Sequence, residues 1–141
     1  MNSITNRNRQ KMKKNVTKKE TQSTDGKVYY HITHGYDSWI KIQRRGLKAS
    51  FDGYIYLLTR KDITNYVAVR QLGIIDSYGV LKVDSKGITG IVEDDNVAEF
   101  TAKYQRRVNQ KMIKPEFIKP VNMYCVDLVA VEDFFRQVVM R

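Results

Sequence analysis

Apolar residues are scarce over the first 26 positions and then recur in short runs to the end of the chain. Before Lys27 only Met1, Ile4, Met12 and Val16 could enter a core. That is too little apolar surface to offset the entropy of ordering the segment. Residues 1–26 are therefore expected to form a disordered basic arm, and 27–141 a single domain. The run at 28–32 is β-branched and aromatic and predicts a strand. Trp39, Ile40 and Ile42 give residues 38–45 a partial apolar helical face, with Asp37 or Ser38 as cap. Gly46 suits the left-handed position just past that helix. Residues 54–58 alternate Tyr54 and Tyr56 with Ile55 and Leu57, which predicts a strand with one pair facing the core and the other solvent or a cleft. Thr59 and Asp62 make a T-x-x-D cap pattern ahead of Ile63, Tyr66, Val67 and the stem of Arg70, a second helix that Gly73 closes.

The pattern is less regular beyond that point. A short buried strand is expected at 80–83 and another at 88–92, followed by an acidic turn at 93–96. Residues 97–107 read as helix early and strand later, and Pro115 and Pro120 predict a loop over 113–121. Residues 121–131 read as a central strand, while 132–141 suit a last strand or a short helix equally. Strands and helices that mix early, with strands dominating late, imply an α+β fold.

Composition narrows the classes. The chain has 141 residues, 42% of them hydrophobic, enough for one compact domain with a real core. Half of its net charge of +10 lies in the arm, where seven Lys and Arg face only Glu20 and Asp25, so the arm is far denser in charge than the body. Such an arm is either a solubilising extension or an electrostatic contact for nucleic acid through Lys13, Lys14, Lys18 and Lys19. One cysteine and two histidines make poor metal-site material, so no metal is expected, and the single Cys125 suits a reducing, cytoplasmic setting. No apolar run approaches a membrane span, and the start of the chain has no signal-peptide core. A basic start also suits a mitochondrial presequence, but it lacks the helical apolar stripe. No phosphate-cradling glycine loop or dinucleotide fingerprint occurs.

Several residues have a plain structural reading. Cys125, in an apolar run, is expected to be a small buried hydrophobe, and His34 a loop residue. Asp94 and Asp95 read as a solvated turn. His31 and Thr33 share a strand face by period two, and His31 without further context is a structural histidine. Tyr54, Tyr56 and Tyr66 could likewise be packing residues alone.

The order of segments gives them a context. His31-Ile32-Thr33, a helix, Gly46-Leu47, then Asp52-Gly53-Tyr54-Ile55-Tyr56 and a second helix bearing Tyr66 resemble the opening half of an ADP-ribosyltransferase of the histidine–tyrosine–glutamate type. In that family the histidine stands in a His-Gly-Thr segment and the tyrosine in a Gly-x-Tyr strand. The later Val69-Arg70-Gln71-Leu72-Gly73, Val80-Leu81-Lys82-Val83-Asp84 and Ile113-Lys114-Pro115-Glu116-Phe117-Ile118 look like steps of the NAD-consuming RNA 2′-phosphotransferases, so the similarity covers about residues 28–120. The phosphotransferases hold phosphates with arginines, and the resemblance does not extend to their N-terminal lobe.

The resemblance implies split antiparallel sheets with two short helices in the N-terminal half. It implies NAD as substrate, held by His31, Ile32 and Thr33 at the ribose and by Tyr56 and Tyr66 at the nicotinamide. The family glutamate has no clean match. Counting back from Pro115 reaches Arg106 or Gln105, with Glu99 nearby, so Gln105 or Glu99 is expected to face the reacting centre. The implied activity is transfer of ADP-ribose to a macromolecular acceptor, nucleic acid or protein. The alternative is a non-enzymatic nucleic-acid binder on the same fold, using the arm together with Arg106 and Arg107.

Overall fold

The computed structural model describes residues 28–94 and 102–138. The basic arm with Lys13, Lys14, Lys18 and Lys19 lies outside the described residues, and so does Glu99.

The chain is α+β. Strand β1 (Val28–His34) leads to α1 (Tyr36–Arg45), and β2 (Leu47–Lys48) and β3 (Tyr54–Leu58) follow. Helix α2 (Thr64–Arg70) then precedes β4 (Ser77–Asp84) and β5 (Ile91–Asp94). Strands β6 (Gln105–Asn109), β7 (Met112–Ile113) and β8 (Ile118–Cys125) lead to a last helix, α3 (Leu128–Val138). Six strands form one antiparallel sheet in the order β5-β6-β3-β1-β4-β8, and β2 pairs with β7 in a separate ribbon.

Alternation along each strand divides the core between two faces. Tyr29, Ile55, Leu57, Leu81, Val83 and Val108 pack on one side, beneath Trp39 and Ile42 of α1 and against the ribbon. Ile32, Leu58, Tyr78 and Val80 pack on the other, against Ile63, Val67 and Ala68 and partly against Phe134 of α3. The ribbon sits tightly under α1 because Gly46 takes φ +95°, with its N–H donating to the Ile42 carbonyl at 2.8 Å. A Cβ there would stand 2.6 Å from the Ile113 carbonyl oxygen. At Gly79 the Trp39 ring occupies the space of a side chain, and the indole N–H donates to the Val80 carbonyl at 3.0 Å.

Two strands at the centre of the sheet are barely joined. β1 pairs with β4 along its whole length, from Val28↔Asp84 to His34↔Tyr78. Its pairing with β3 is the single register Tyr30↔Leu58. The sheet is therefore continuous but carries a seam between β1 and β3.

Several expectations are corrected. Helix α2 starts at Thr64 without a side-chain cap, because Asp62 is drawn to Arg60 and the Thr59 hydroxyl donates to the Tyr104 carbonyl. Glu93 and Asp94 belong to β5, where register sets them opposite Arg107 and Arg106. Residues 113–121 are not a loop: β7, a 3₁₀ turn at Pro115–Phe117 and the start of β8 occupy them. Pro120 is accommodated because β8 is an edge strand, where a missing N–H removes no ladder bond, and the register shifts beside it. The expected central strand at 121–131 is thus an edge strand that ends at Cys125, and Cys125 is exposed rather than buried. Asp127 accepts from the Ala130 N–H at 3.0 Å and caps α3, so residues 132–138 are helical. His34 ends β1 instead of lying in a loop and pairs with Asp76 at 2.8 Å. Among the described residues no helix is long and apolar enough to cross a membrane.

Candidate functional site

Two cavities open at the seam. The larger, about 590 Å³, lies on the α2 side and is lined by His31, Tyr56, Arg70 and Gln105 among others. The smaller, about 330 Å³, lies on the α1 side and is lined by His31, Tyr56, Lys41, Arg45 and Lys48 among others. The two share His31, Ser50 and Tyr56. These sizes fall within the ordinary range of small-molecule sites.

His31 stands where β1 and β3 part. Its Nδ1 donates to the Tyr56 carbonyl oxygen at 2.9 Å, across the seam. A carbonyl cannot donate, so Nδ1 must carry the proton. Burial pushes the His31 imidazole below its ordinary value of 6.5, and the Tyr56 bond opposes this only in part. The ring is then neutral near pH 7, with Nε2 an acceptor suited to a hydroxyl.

The lowered value makes stability depend on pH. The unfolded chain takes up a proton near 6.5, whereas the folded chain resists it until a lower pH. Stability from this group is present above 6.5 and is lost as pH falls from there through the folded value. Urea unfolding of the wild type is therefore expected to show a lower midpoint at pH 5.5 than at 7.5, with the drop shrinking in His31→Gln. Equal drops in both proteins would mean that His31 is not held neutral.

Tyr56 is oriented by the turn before it. Its hydroxyl donates to the Asp52 carboxylate, which also accepts the Tyr54 N–H at 3.0 Å. Those bonds, with the nearby Arg107 charge, hold Asp52 below the usual carboxylate range. Gln105 is buried at the start of β6, opposite Leu58, and lines the larger cavity. Three residues far apart in sequence therefore converge there: His31, Tyr56 and Gln105. Ile32 lines the same cavity.

Other expected site residues are placed elsewhere. Thr33 shares the His31 face of β1 but lines neither cavity. Tyr66 is buried in the α2–α3 contact, its ring 5.3 Å from that of Phe134, and lines neither cavity. Arg106 donates to the Lys103 and Gln105 carbonyls and approaches Asp94 at 3.5 Å. Arg107 lies over the Tyr54 ring at 4.3 Å and approaches Glu93 at 3.5 Å. Both arginines thus face acidic partners on the neighbouring strand β5.

Arg70 is the cation that the larger cavity does contain, its guanidinium 5.8 Å from the Phe135 ring centroid and 6.0 Å from that of Tyr66. From the sequence it reads as an apolar stem on a helix, and only its Arg-x-x-Gly context hinted at more. Ser50 gave no signal at all, and Asp52 entered only as the first residue of the segment that ends at Tyr56.

Comparison with protein-family models, with curated proteins and with solved structures found no match. The functional reading rests on this geometry and on the segment order in the sequence.

Proposed function

We propose that the protein is an NAD-dependent ADP-ribosyltransferase on an ADP-ribosyltransferase-like split fold. The observation that carries this reading is the convergence of His31, Tyr56 and Gln105 on one cavity at the β1–β3 seam. Each residue then has a chemical role. The neutral His31 accepts from a ribose hydroxyl at Nε2. Tyr56, fixed through Asp52, offers a ring against which the flat nicotinamide stacks. Arg70 supplies positive charge for a phosphate of the pyrophosphate.

In the reaction the bond between the ribose C1′ and the nicotinamide nitrogen breaks, and its electron pair leaves with nicotinamide. An acceptor nucleophile bonds to C1′ and gives up its proton. Gln105 faces the developing positive charge with an amide dipole instead of a carboxylate, a weaker stabiliser. Slow hydrolysis of NAD by water alone follows, with turnover depending on a well-placed acceptor.

The test uses NAD labelled on its adenylate half, offered with DNA, RNA and cell-lysate protein. The expected result is label on one acceptor class with release of nicotinamide in equal amount. No NAD binding and no transfer to any acceptor would overturn the reading.

A further inference from the structure

The smaller cavity has a charge pattern that an NAD site alone does not explain. Lys41 and Arg45 of α1 and Lys48 of β2 line it, and all three are exposed. Lys111 is brought beside them, because Lys48 pairs with Met112 and the Ala49 N–H donates to the Lys111 carbonyl at 2.8 Å. Arg44 adds a fifth exposed cation in the last turn of α1. Among the described residues no carboxylate lies within ion-pair distance of any of the five. Arg44 and Arg45 suit the negative end of the helix dipole. That does not account for Lys41, Lys48 or Lys111. Lys41 and Arg45, one turn apart, repel each other.

A second feature adjoins this patch. Phe51 is fully exposed at the tip of the turn between β2 and β3. The turn is held by Gly53 N–H to Ser50 carbonyl and Ser50 N–H to Tyr54 carbonyl, each 2.9 Å. The neighbour of Phe51 in sequence, Ser50, lines both cavities. An aromatic ring beside a row of cations is the pairing that single-strand binders use, the ring for a base and the cations for phosphates.

We propose that this face seats a single-stranded nucleic acid, with phosphates on Lys41, Arg45, Lys48 and Lys111 and a base on Phe51. A neighbouring nucleotide is thereby led to the seam at His31 and Tyr56. Five cations spread over a helix and a ribbon exceed what the two charges of one pyrophosphate need. A duplex fits poorly, since a stacked base reaches a cavity of about 330 Å³ only by leaving the stack. That the strand is the acceptor rests on the transferase reading; that it binds here does not.

The test is fluorescence anisotropy of the full chain with labelled single-stranded DNA and RNA 15-mers, across a salt series. The variants are K41Q/R45Q/K48Q, Phe51→Ala, and K82Q/K119Q as a control on β4 and β8, with circular dichroism to verify folding. The triple variant is expected to lower the slope of log K against log salt by about 2, given roughly 0.7 per phosphate contact on a single strand. Phe51→Ala is expected to weaken binding about tenfold with little change of slope. The proposal is overturned by an unchanged slope in the triple variant, by an equal loss in the control, or by equal patch-dependent binding of poly-glutamate. NAD consumption is followed in the same samples. Patch-dependent strand binding without NAD consumption upholds this surface and removes the strand as the acceptor.

Discussion

Replacing His31 by alanine is expected to cut ADP-ribose transfer by at least about a hundredfold, the scale of losses when a reacting group is mispositioned. Two effects act together. The acceptor nitrogen for the ribose hydroxyl is removed. The Nδ1 bond to Tyr56, which spans the seam where β1 and β3 share one backbone register, is removed as well. The Tyr56 carbonyl loses this partner at a cost of about 1–3 kcal/mol if it stays dry. Urea unfolding measures that cost, and label transfer from NAD measures the first effect. Single-strand affinity on the α1 face should stay within about twofold of wild type, because the phosphate contacts that dominate it are untouched. A folded His31→Ala protein with undiminished transfer would remove His31 from the chemistry and with it the proposed site.

Leu81→Ala should give the largest loss of stability. Leu81 is fully buried and lies directly opposite His31 in the β1–β4 ladder, so the two share a face. Its side chain packs among Tyr29, Ile55, Leu57 and Val83, the layer that supports the seam on the α1 side. Truncation removes the transfer free energy and leaves a cavity, about 2–5 kcal/mol in all. Against a typical total of roughly 5–15 kcal/mol, that is a large share. The urea midpoint should fall by about 1–3 M at ordinary sensitivity to urea. A shift too small to resolve would mean that the strands are not packed here as described. Because Leu81 neighbours His31, transfer should also drop in the variant before global unfolding sets in.

The elements legible in the sequence are those with local signals. β1 follows a β-branched, aromatic run, and β3 has the limits that alternation predicts. Helix α1 starts two residues earlier than the apolar face suggested and stops at Gly46, whose positive φ a side chain would resist. The Thr59–Asp62 cap pattern misled because Asp62 has a better partner in Arg60, two residues away. The acidic run at Glu93 and Asp94 looked like a turn because its compensating charges, Arg106 and Arg107, arrive from a distant strand. The stretch from 121 to 131 is continuously apolar enough to hide the break at Asp127, although an N-capping aspartate was there to be read.

The site divides the same way. Residue type, spacing and segment order in the sequence were enough to single out His31, Tyr56 and Gln105 as candidates, and to place the first two on strands. The order of predicted elements determined an α+β domain, and composition a strongly basic chain. Only the tertiary structure decided that β1 and β3 part after one pair, so that residues on opposite strand faces meet across a seam. It alone buried Tyr66 against Phe134 and set Arg106 and Arg107 beside Asp94 and Glu93. It also left Lys41, Arg45 and Lys48 beside the seam without acidic partners among the described residues. The reason is physical. Propensity, caps and alternation act over a few residues and are written in the sequence, whereas strand register and the facing of charges come from contacts between distant segments, such as His31 with Tyr56 and Leu58 with Gln105.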